Sequence, residues 1–307
     1  MPATPEQRLA ELKGSAQMPS PDGVALEIAQ LALDGDLPLA RIVKLAQTDP
    51  ALTGRLIQLA NSAALAGGRP VVSVQEAIRR LGLASVRNVA LALSLMGGEH
   101  GKSCVGFDYR RFWSHSLACG IAAKTLPAGL AAMASDEIFT LGLLSGIGRL
   151  ALASVYPVEY AAVLAGSHGE TPRELLALER EAFAVDHAEV TAAMLADWRF
   201  PTLFVQVVLH HANPEAIALA EGSRALRGSQ ALSLASCIAD LCVADDEQRT
   251  RIVIRLFDLG AGIALDESAL TALTDAAVVE WHEWGRLLDV DTRQVPAISA
   301  IGARGER

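Results

Sequence analysis

Hydrophobic residues recur along most of this chain three and four positions apart, which is the spacing of a helix with one buried face. In one segment, Leu52, Leu56 and Leu59 share such a face. Asp49 precedes them and can cap the helix with its carboxylate, and Pro50 suits the first helical position because that N–H has no partner within the helix. Similar patterns run through the rest of the sequence, so we predict an all-α protein.

Three further helix starts carry a capping box, in which the cap residue and an acidic residue three positions later each bond to a free N–H group of the other. They are Ser73 with Glu76, Thr171 with Glu174, and Asp186 with Glu189. We predict that the first of these helices ends at Gly82, because glycine is favoured just beyond a helix end, and that the last runs to about Trp198.

Polar breaks divide the predicted helices into regions. The first break is the glycine-containing stretch at 97–106, and the second is the acidic cluster at 245–247. These breaks predict four parts, which are an N-terminal tail (1–19), a helical subdomain (20–99), a second helical subdomain (107–245) and a C-terminal region of helices and a linker or tail (246–307).

The segment LGLLSGIGRL, residues 141–150, is apolar and helical in character but contains three glycines. Each glycine inside a helix costs about 1 kcal/mol relative to alanine, so three together need a reason. Gly142 and Gly146 are four positions apart and would share one face of a continuous helix. We therefore expect a neighbouring helix to pass close to the chain at these two glycines.

The chain has 307 residues, of which 51% are hydrophobic and only 5% aromatic, and its formal net charge is −9. Such an acidic chain is a poor non-specific ligand for nucleic acids or anionic membranes, which both attract basic surfaces. The four cysteines form no CxxC pair, the N-terminus lacks the apolar core of a signal peptide, and the longest uncharged stretch is too short to cross a membrane. We therefore expect a cytoplasmic protein with reduced thiols and with neither nucleic acid nor membrane as a partner.

Four histidines and one aspartate stand out because they lie at the ends or in the interiors of separate predicted helices. They are His115, His187, His210, His211 and Asp240. Imidazole and carboxylate groups from different helices of one bundle can converge on a metal ion in its core. Histidines at such positions also occur as hydrogen-bonded core or surface residues, so the spacing alone leaves both interpretations open.

Seven segments together resemble the HDOD family, a catalytically degenerate branch of the HD-domain phosphohydrolases found in bacterial signalling. Their order and spacing carry the resemblance, which extends from about residue 18 to residue 245. The segments are MPSP, TDPALTGRLIQLANSA, VQEAIRRLGLASVRNVALALS, FWSHSLACGIAA, DEIFTLGLLSGIGRLAL, EREAFAVDHAEVTAAMLADWRFP and VVLHHANP. The resemblance implies an HDOD domain over 20–245, built as an HD-like helical bundle preceded by an N-terminal helical subdomain.

In HD enzymes, an adjacent His-Asp pair joins further histidines and a final aspartate around metal ions, which activate a water for attack on phosphorus. The motifs place these other ligands at His115, His187, His210, His211 and Asp240. The His-Asp pair itself falls on Ser145 and Gly146, because GLLSGIGRL stands where the enzymes have GLLHDIGKL. A hydroxyl is a poor ligand for such metals, and glycine has no side chain. The resemblance therefore implies a non-catalytic site that holds neither a cofactor nor a metal. If a metal did bind, its ligands would be the four histidines and Asp240.

HDOD proteins act as interaction or sensory modules in motility, chemotaxis, stress responses and cyclic di-GMP signalling, and some precede a diguanylate cyclase domain. The resemblance implies a non-catalytic regulatory module that binds a small ligand or a protein, such as a diguanylate cyclase or another signalling protein. The alternative is a residual metal-dependent phosphohydrolase acting on a nucleotide or cyclic dinucleotide. Trp281 and Trp284, three positions apart on one predicted helix, either close the core or contact a partner. The sequence leaves the oligomeric state open.

Overall fold

The computed structural model describes residues 4–21, 23–33, 39–61, 71–97, 104–127, 129–167, 172–214, 220–298 and 301, which contain sixteen α-helices and no strand. The helices are α1 (Pro5–Gly14), α2 (Gly23–Leu33), α3 (Leu39–Gln47), α4 (Pro50–Ala60), α5 (Val74–Leu81), α6 (Leu83–Gly97), α7 (Tyr109–Thr125), α8 (Ser135–Leu144), α9 (Ile147–Val155), α10 (Pro157–Gly166), α11 (Pro172–Phe183), α12 (His187–Asp197), α13 (Thr202–His210), α14 (Arg224–Val243), α15 (Asp246–Gly262) and α16 (Glu267–Leu288). The all-α prediction is confirmed. Its physical basis is a composition rich in alanine and leucine and poor in runs of β-branched and aromatic residues.

Contacts group the chain into two compact units. The first comprises Met1–Pro19, Glu99–Gly285 and Val290–Arg307, and the second comprises Ser20–Gly98 and Arg286–Asp289. Helices α2 to α6 therefore belong to the second unit, whereas α1, α7 to α15 and most of α16 belong to the first. Apart from Arg286–Asp289, the residues after 245 belong to the same unit as α7 to α14. The domain boundaries drawn from the sequence stay a prediction.

The second unit contains two of the predicted helix caps. Asp49 Oδ1 accepts a hydrogen bond from Leu52 N at 3.1 Å, and Ser73 Oγ accepts one from Glu76 N at 3.3 Å. Only this half of the box predicted at Ser73 forms, because the Glu76 side chain makes no return bond to the backbone of Ser73. Helix α5 ends at Gly82, whose φ of 78° lies in the left-handed region that glycine adopts without strain. The three leucines of the predicted apolar face of α4 are buried, and each contributes roughly 1.5–3 kcal/mol to the hydrophobic stabilisation.

Helices α7, α8 and α14 form the centre of the first unit, where α7 packs along both of the others, and α12 packs against α9 and α13. The capping box predicted at the start of α12 is complete. Asp186 Oδ1 accepts from Glu189 N at 2.9 Å, and Glu189 Oε2 accepts from Asp186 N at 2.8 Å. This helix ends one residue before Trp198, as predicted. The box predicted at Thr171 lies outside the described residues.

The glycine-containing segment 141–150 forms the end of α8 and the start of α9 rather than one helix, with Ser145 and Gly146 at the break. A Cβ at Gly142 would lie 2.6 Å from Cys119 O, so α7 and α8 cross at a point where only glycine fits. A Cβ at Gly146 would meet only the Phe112 ring, at 3.4 Å. The close approach predicted at Gly146 is therefore wrong, because the helix breaks there and the two glycines no longer share a face.

The segment Ser135–Val155 contains this break and is the one helical segment of the described chain that is apolar and long enough to cross a membrane. An 18-residue window within it has a mean hydropathy of 1.7, and 83% of that window is buried within the fold. Core helices of folded domains share this combination of length, hydropathy and burial.

The C-terminal region adds two long helices and a tail to the first unit. Trp281 of α16 is fully buried, and its Nε1 donates a hydrogen bond to Ser114 O at 3.1 Å. Beyond α16, Ile298 and Ile301 are almost fully buried. The sequence predicts a linker or tail here, whereas the structure packs these two isoleucines into the core because burial removes their apolar surface from water.

Candidate functional site

His115 and Asp240 are in contact in the first unit. Helix α7 carries His115, α14 carries Asp240, and these two helices pack along each other. His115 Nε2 donates to Asp240 Oδ1 at 3.0 Å, and the two side chains keep 20% and 31% of their surface exposed. The structure thus brings together two of the predicted site residues that are 125 positions apart in the sequence.

Arg255 of α15 completes this cluster. Its Nη2 donates to Asp240 Oδ2, and its Nε donates to Cys237 Sγ at 3.3 Å. Burial alone would raise the pKa of Asp240, but the bonds from His115 and Arg255 lower that pKa to about 2. Asp240 is therefore ionised at neutral pH, with a hydrogen-bond donor on each oxygen.

Ser145 and Gly146, where the resemblance places the His-Asp pair of HD enzymes, offer no charged ligand. Ser145 Oγ donates to Gly142 O at 3.0 Å and contacts Cys119 Sγ at 3.8 Å. The hydroxyl is therefore engaged by the backbone of its own helix. Burial raises the pKa of the neighbouring Cys119 thiol to about 12, so this group also stays neutral at physiological pH.

His187 opens α12 and is held by Glu179, a buried carboxylate on α11. Glu179 Oε2 accepts from the backbone N of His187 at 2.9 Å and from its Nδ1 at 2.6 Å. The other oxygen, Oε1, accepts from Tyr160 Oη at 2.8 Å. Burial alone would lower the pKa of nearby Arg149, but Tyr160 and Glu179 raise it. This buried network fixes the orientation of the His187 imidazole.

The adjacent His210 and His211, at the end of α13, lie in different surroundings. His211 is buried, and its Nδ1 donates to Val208 O at 2.6 Å. Burial, together with the nearby His187 and His115, lowers the pKa of His211 to about 4, although the bond to Val208 O acts in the opposite direction. His211 is therefore within electrostatic reach of these two histidines, whereas His210 lines a separate cavity.

This cavity has a volume of about 310 Å³ and lies between α11, the start of α12 and the end of α13. Its polar lining includes Arg173, Arg180, Asp186, His210 and Asn213. Arg173 donates to Asn213 Oδ1 at 2.6 Å, and Arg180 pairs with Asp186 at 2.5 Å. The Nδ1 atom of His210 is buried and has no hydrogen-bond partner within the described ranges.

The residues that the structure brings together do not fit a metal ion as they stand. In the described part of the chain, no three His, Cys, Asp or Glu side chains are grouped so that they could hold one. Both oxygens of Asp240 are bonded, and His187 and His211 each use Nδ1 within the chain. The guanidinium of Arg255 also places a fixed positive charge on Asp240, which would repel an incoming cation.

The depressed pKa of His211 predicts a loss of stability in mild acid. The unfolded chain binds a proton at this residue near pH 6.5, whereas the folded chain excludes it until about pH 4. Stability therefore falls as the pH drops from about 6.5 to 4, by about 3 kcal/mol from this group. Denaturant unfolding across that range measures the effect. His211→Asn, which keeps a donor for Val208 O but does not titrate, should flatten the curve, and an unchanged curve would contradict the prediction.

Residues 18–214, which are well over half of the chain, match the sequence profile of the HDOD domain. The chain belongs to the HDOD domain family. A similar solved structure, the MmoQ response regulator from Methylococcus capsulatus str. Bath, is 37% identical and covers 84% of this HDOD chain and 97% of its own, with a TM-score of 0.50. A second similar structure is that of a proposed phosphohydrolase from Shewanella amazonensis SB2B. It is 25% identical, with a TM-score of 0.69 over 92% of this chain and 97% of its own.

Two further relatives share the HDOD fold or part of the sequence. An HDOD domain protein of unknown function from Geobacter sulfurreducens is 21% identical, with a TM-score of 0.68 over 92% of this chain and 98% of its own. An uncharacterized protein of Treponema pallidum (strain Nichols) is 28% identical over 190 residues, which are 61% of this chain and 36% of that protein. The HDOD chain thus spans little more than a third of the length of this curated relative.

The sequence does not predict two charged residues of the site in this HDOD protein, Arg255 and Glu179. Arg255 lies beyond the segments that carry the resemblance, and nothing in its neighbourhood marks it. Glu179 does leave a signal, because Leu176 and Phe183, three positions before it and four after it, are apolar. A carboxylate on the apolar face of a helix indicates a buried partner. The partners Tyr160 and His187 then follow only from the fold.

The two tryptophans considered for partner contact differ in exposure. Trp281 is fully buried, so a partner could touch it only if α16 moved. Trp284 is partly exposed, with its ring 5.6 Å from the Phe139 ring and 6.0 Å from Lys124 Nζ. The structure thus places Trp281 in the core of this HDOD protein, and of the two tryptophans only Trp284 has exposed surface that a partner could contact.

Proposed function

We propose that this HDOD protein is a non-catalytic regulatory module of bacterial signal transduction that works by binding a protein or a small ligand. The observation that carries the proposal is the helix break at Ser145 and Gly146, where a backbone-bonded hydroxyl and a glycine stand at the positions that the resemblance gives to the His-Asp pair. Without that carboxylate, the site lacks the group that in HD enzymes bridges metal ions and holds the nucleophilic water. Membership of the HDOD family and the similarity to a response regulator support a role in signalling.

We infer that the module acts in the cytoplasm on a signalling protein such as a diguanylate cyclase, within cyclic di-GMP, motility or stress responses. The net charge of −9 supports a partner other than nucleic acid or an anionic membrane. The cluster of His115, Asp240 and Arg255 links α7, α14 and α15 through directional bonds. A ligand that shifted one of these helices would change the packing of the others, which is a common way for packed helices to transmit binding.

The second candidate is a residual metal-dependent phosphohydrolase acting on a nucleotide or cyclic dinucleotide. Two observations favour it. His115 and Asp240 still meet, with His187 and His211 in electrostatic reach, and a relative of 25% identity is named for a proposed phosphohydrolase activity. This candidate would need a metal to displace the bonds that now engage Asp240.

Metal content and turnover, measured on the same sample, separate the two candidates. The purified chain is exposed in turn to Mn²⁺, Fe²⁺ and Zn²⁺, desalted, analysed by mass spectrometry for bound metal, and assayed with cyclic di-GMP and a generic phosphodiester. We expect neither stoichiometric metal nor turnover above the buffer blank, because the groups that would bind and activate a metal-bound water are missing.

The control for that measurement is His115→Ala, which removes one of the remaining site residues. Turnover that occurs in the native sequence and disappears in this variant would contradict the non-catalytic proposal and establish the hydrolase. Stoichiometric metal without turnover would keep the module non-catalytic but give it a structural ion.

A further inference from the structure

The cavity between α11, the start of α12 and the end of α13 has a volume of about 310 Å³, and its lining includes neither His115 nor Asp240. Pockets that hold small molecules usually have about 300–1,000 Å³ and are lined mainly by apolar side chains. The apolar lining residues of this cavity are Leu176, Ala177, Ala188, Leu209 and Ala212. The cavity thus has the size and the surface to enclose the apolar body of a small molecule.

Arg173 brings a positive charge to this cavity. It lies seven positions before Arg180, the other lining arginine, and therefore about 10 Å from it along α11. Arg173 Nη2 donates to Asn213 Oδ1 at 2.6 Å. Asn213 is neutral, and among the described residues no carboxylate forms an ion pair with Arg173. Because no acidic side chain balances this guanidinium, its charge is available to an anion.

Two polar groups at the end of α13 join Arg173 in the lining. A guanidinium only donates, so the Oδ1 atom of Asn213 faces it, and this leaves the Nδ2 atom of Asn213 as a donor for another acceptor. Asn213 N donates to His210 O at 3.1 Å, which holds the two residues in one turn. His210 Nδ1 is buried without a hydrogen-bond partner in the described ranges, and native proteins rarely leave a buried polar atom unbonded. With a proton on Nδ1, the imidazole would be a third donor.

Arg180, in contrast, is already balanced by acidic side chains. Its Nη2 lies 2.5 Å from Asp186 Oδ2, and its Nε lies 3.9 Å from Glu189 Oε2. Asp186 has no exposed surface and also lines the cavity. The lining thus carries two arginines and one carboxylate, a balance that suits a monoanion. A phosphate monoester carries about −1.5 to −2 charges at pH 7 and would be repelled by Asp186.

We propose that this cavity binds a small carboxylic acid as its monoanion, with the carboxylate on Arg173, Asn213 and His210 and the apolar body against Leu176 and Leu209. Arginine can donate two parallel bonds to a carboxylate, which selects the planar shape of this group as well as its charge. The bound acid would connect α11 with the end of α13. The proposal rests on the proposed function, because it names a chemical class for the small ligand of the module.

The test titrates butyrate, pentanoate and hexanoate into the full chain and follows the methyl resonances of Leu176 and Leu209 by NMR. We expect the affinity to rise about fourfold for each added methylene, because each one removes further apolar surface from water. Hexanamide and inorganic phosphate should bind at least about tenfold more weakly than hexanoate, since hexanamide lacks the charge and phosphate lacks the apolar body.

Three variants locate the carboxylate. Arg173→Gln should weaken hexanoate binding at least about tenfold, because it removes the charge that faces the carboxylate. The matched control is Arg251→Gln, which alters an exposed arginine of α15 and should leave the affinity unchanged. His210→Phe keeps an aromatic ring but removes the Nδ1 donor, so it should also weaken binding. Thermal unfolding shows which variants are folded, and His210→Phe carries the test should Arg173→Gln not fold.

Three outcomes would overturn the proposal. They are hexanoate binding no tighter than that of hexanamide, equal affinity of Arg173→Gln and Arg251→Gln for hexanoate, and phosphate binding tighter than that of hexanoate. None of these readouts involves a metal or the turnover of a phosphodiester. A chain that fails to bind hexanoate would therefore lose this ligand class and keep its non-catalytic role, whereas turnover in the earlier assay would overturn that role and leave the carboxylate site in place.

Discussion

Replacing Gly148 by alanine should destabilise the fold by about 3–5 kcal/mol, because no space exists for the added methyl group. A Cβ at this position would lie 2.1 Å from His187 O and 2.8 Å from Thr191 Oγ1. Neither atom can retreat at low cost, since Thr191 Oγ1 accepts from Gly148 N at 2.9 Å and donates to His187 O at 2.7 Å. Alanine would therefore push the start of α9 away from the start of α12.

Denaturant unfolding followed by circular dichroism measures this loss. The matched control is Gly146→Ala, two positions earlier, where the added carbon meets only the flexible Phe112 ring at 3.4 Å. We expect the free energy of unfolding of that variant to change by less than about 1 kcal/mol. Equal stability of the two variants would contradict the prediction and would mean that α9 and α12 can separate without cost.

The glycines show how far the sequence predicts the packing of this segment. The cost of glycine in a helix correctly indicates a close helix crossing, and Gly142 does lie against α7. The sequence does not reveal that the helix breaks at Ser145. The break changes which residues share a face, so the second close contact falls on Gly148 and against α12 rather than on Gly146. Periodicity specifies a face only while the helix is continuous.

The charged groups of the site set a similar limit. The motifs indicate His115 and Asp240, and the fold brings them into contact. Arg255 reaches Asp240 only because α15 packs against α14, and no local pattern encodes that packing. Helix starts, such as the complete box at Asp186, depend on neighbouring residues, so a local pattern can indicate them. Ion pairs between distant helices depend on the whole fold, and the sequence alone does not indicate them.

Glu179→Ala should also destabilise the fold by about 3–5 kcal/mol, because it removes the common acceptor of a buried network. Glu179 has no exposed surface and accepts three hydrogen bonds, two from His187 and one from Tyr160. Its loss would leave those donors unsatisfied and would remove one of the negative charges near Arg149. Glu179→Gln should recover only part of the stability, since its amide NH₂ would face N–H and O–H groups that also donate.

The pH dependence of unfolding separates the charge of Glu179 from its packing. Burial alone would raise the pKa of Glu179, but His187 holds that pKa below its usual value of 4.5. The carboxylate therefore stabilises the fold above pH 4.5, and this contribution is lost as the pH falls through the lower folded-state pKa. Glu179→Gln should lack this acid-dependent part, whereas Glu181→Gln, which alters an exposed carboxylate two positions later, should keep it. If the two glutamine variants were equally stable at pH 7, the ionised Glu179 would contribute nothing, and His187 would owe its orientation to packing alone.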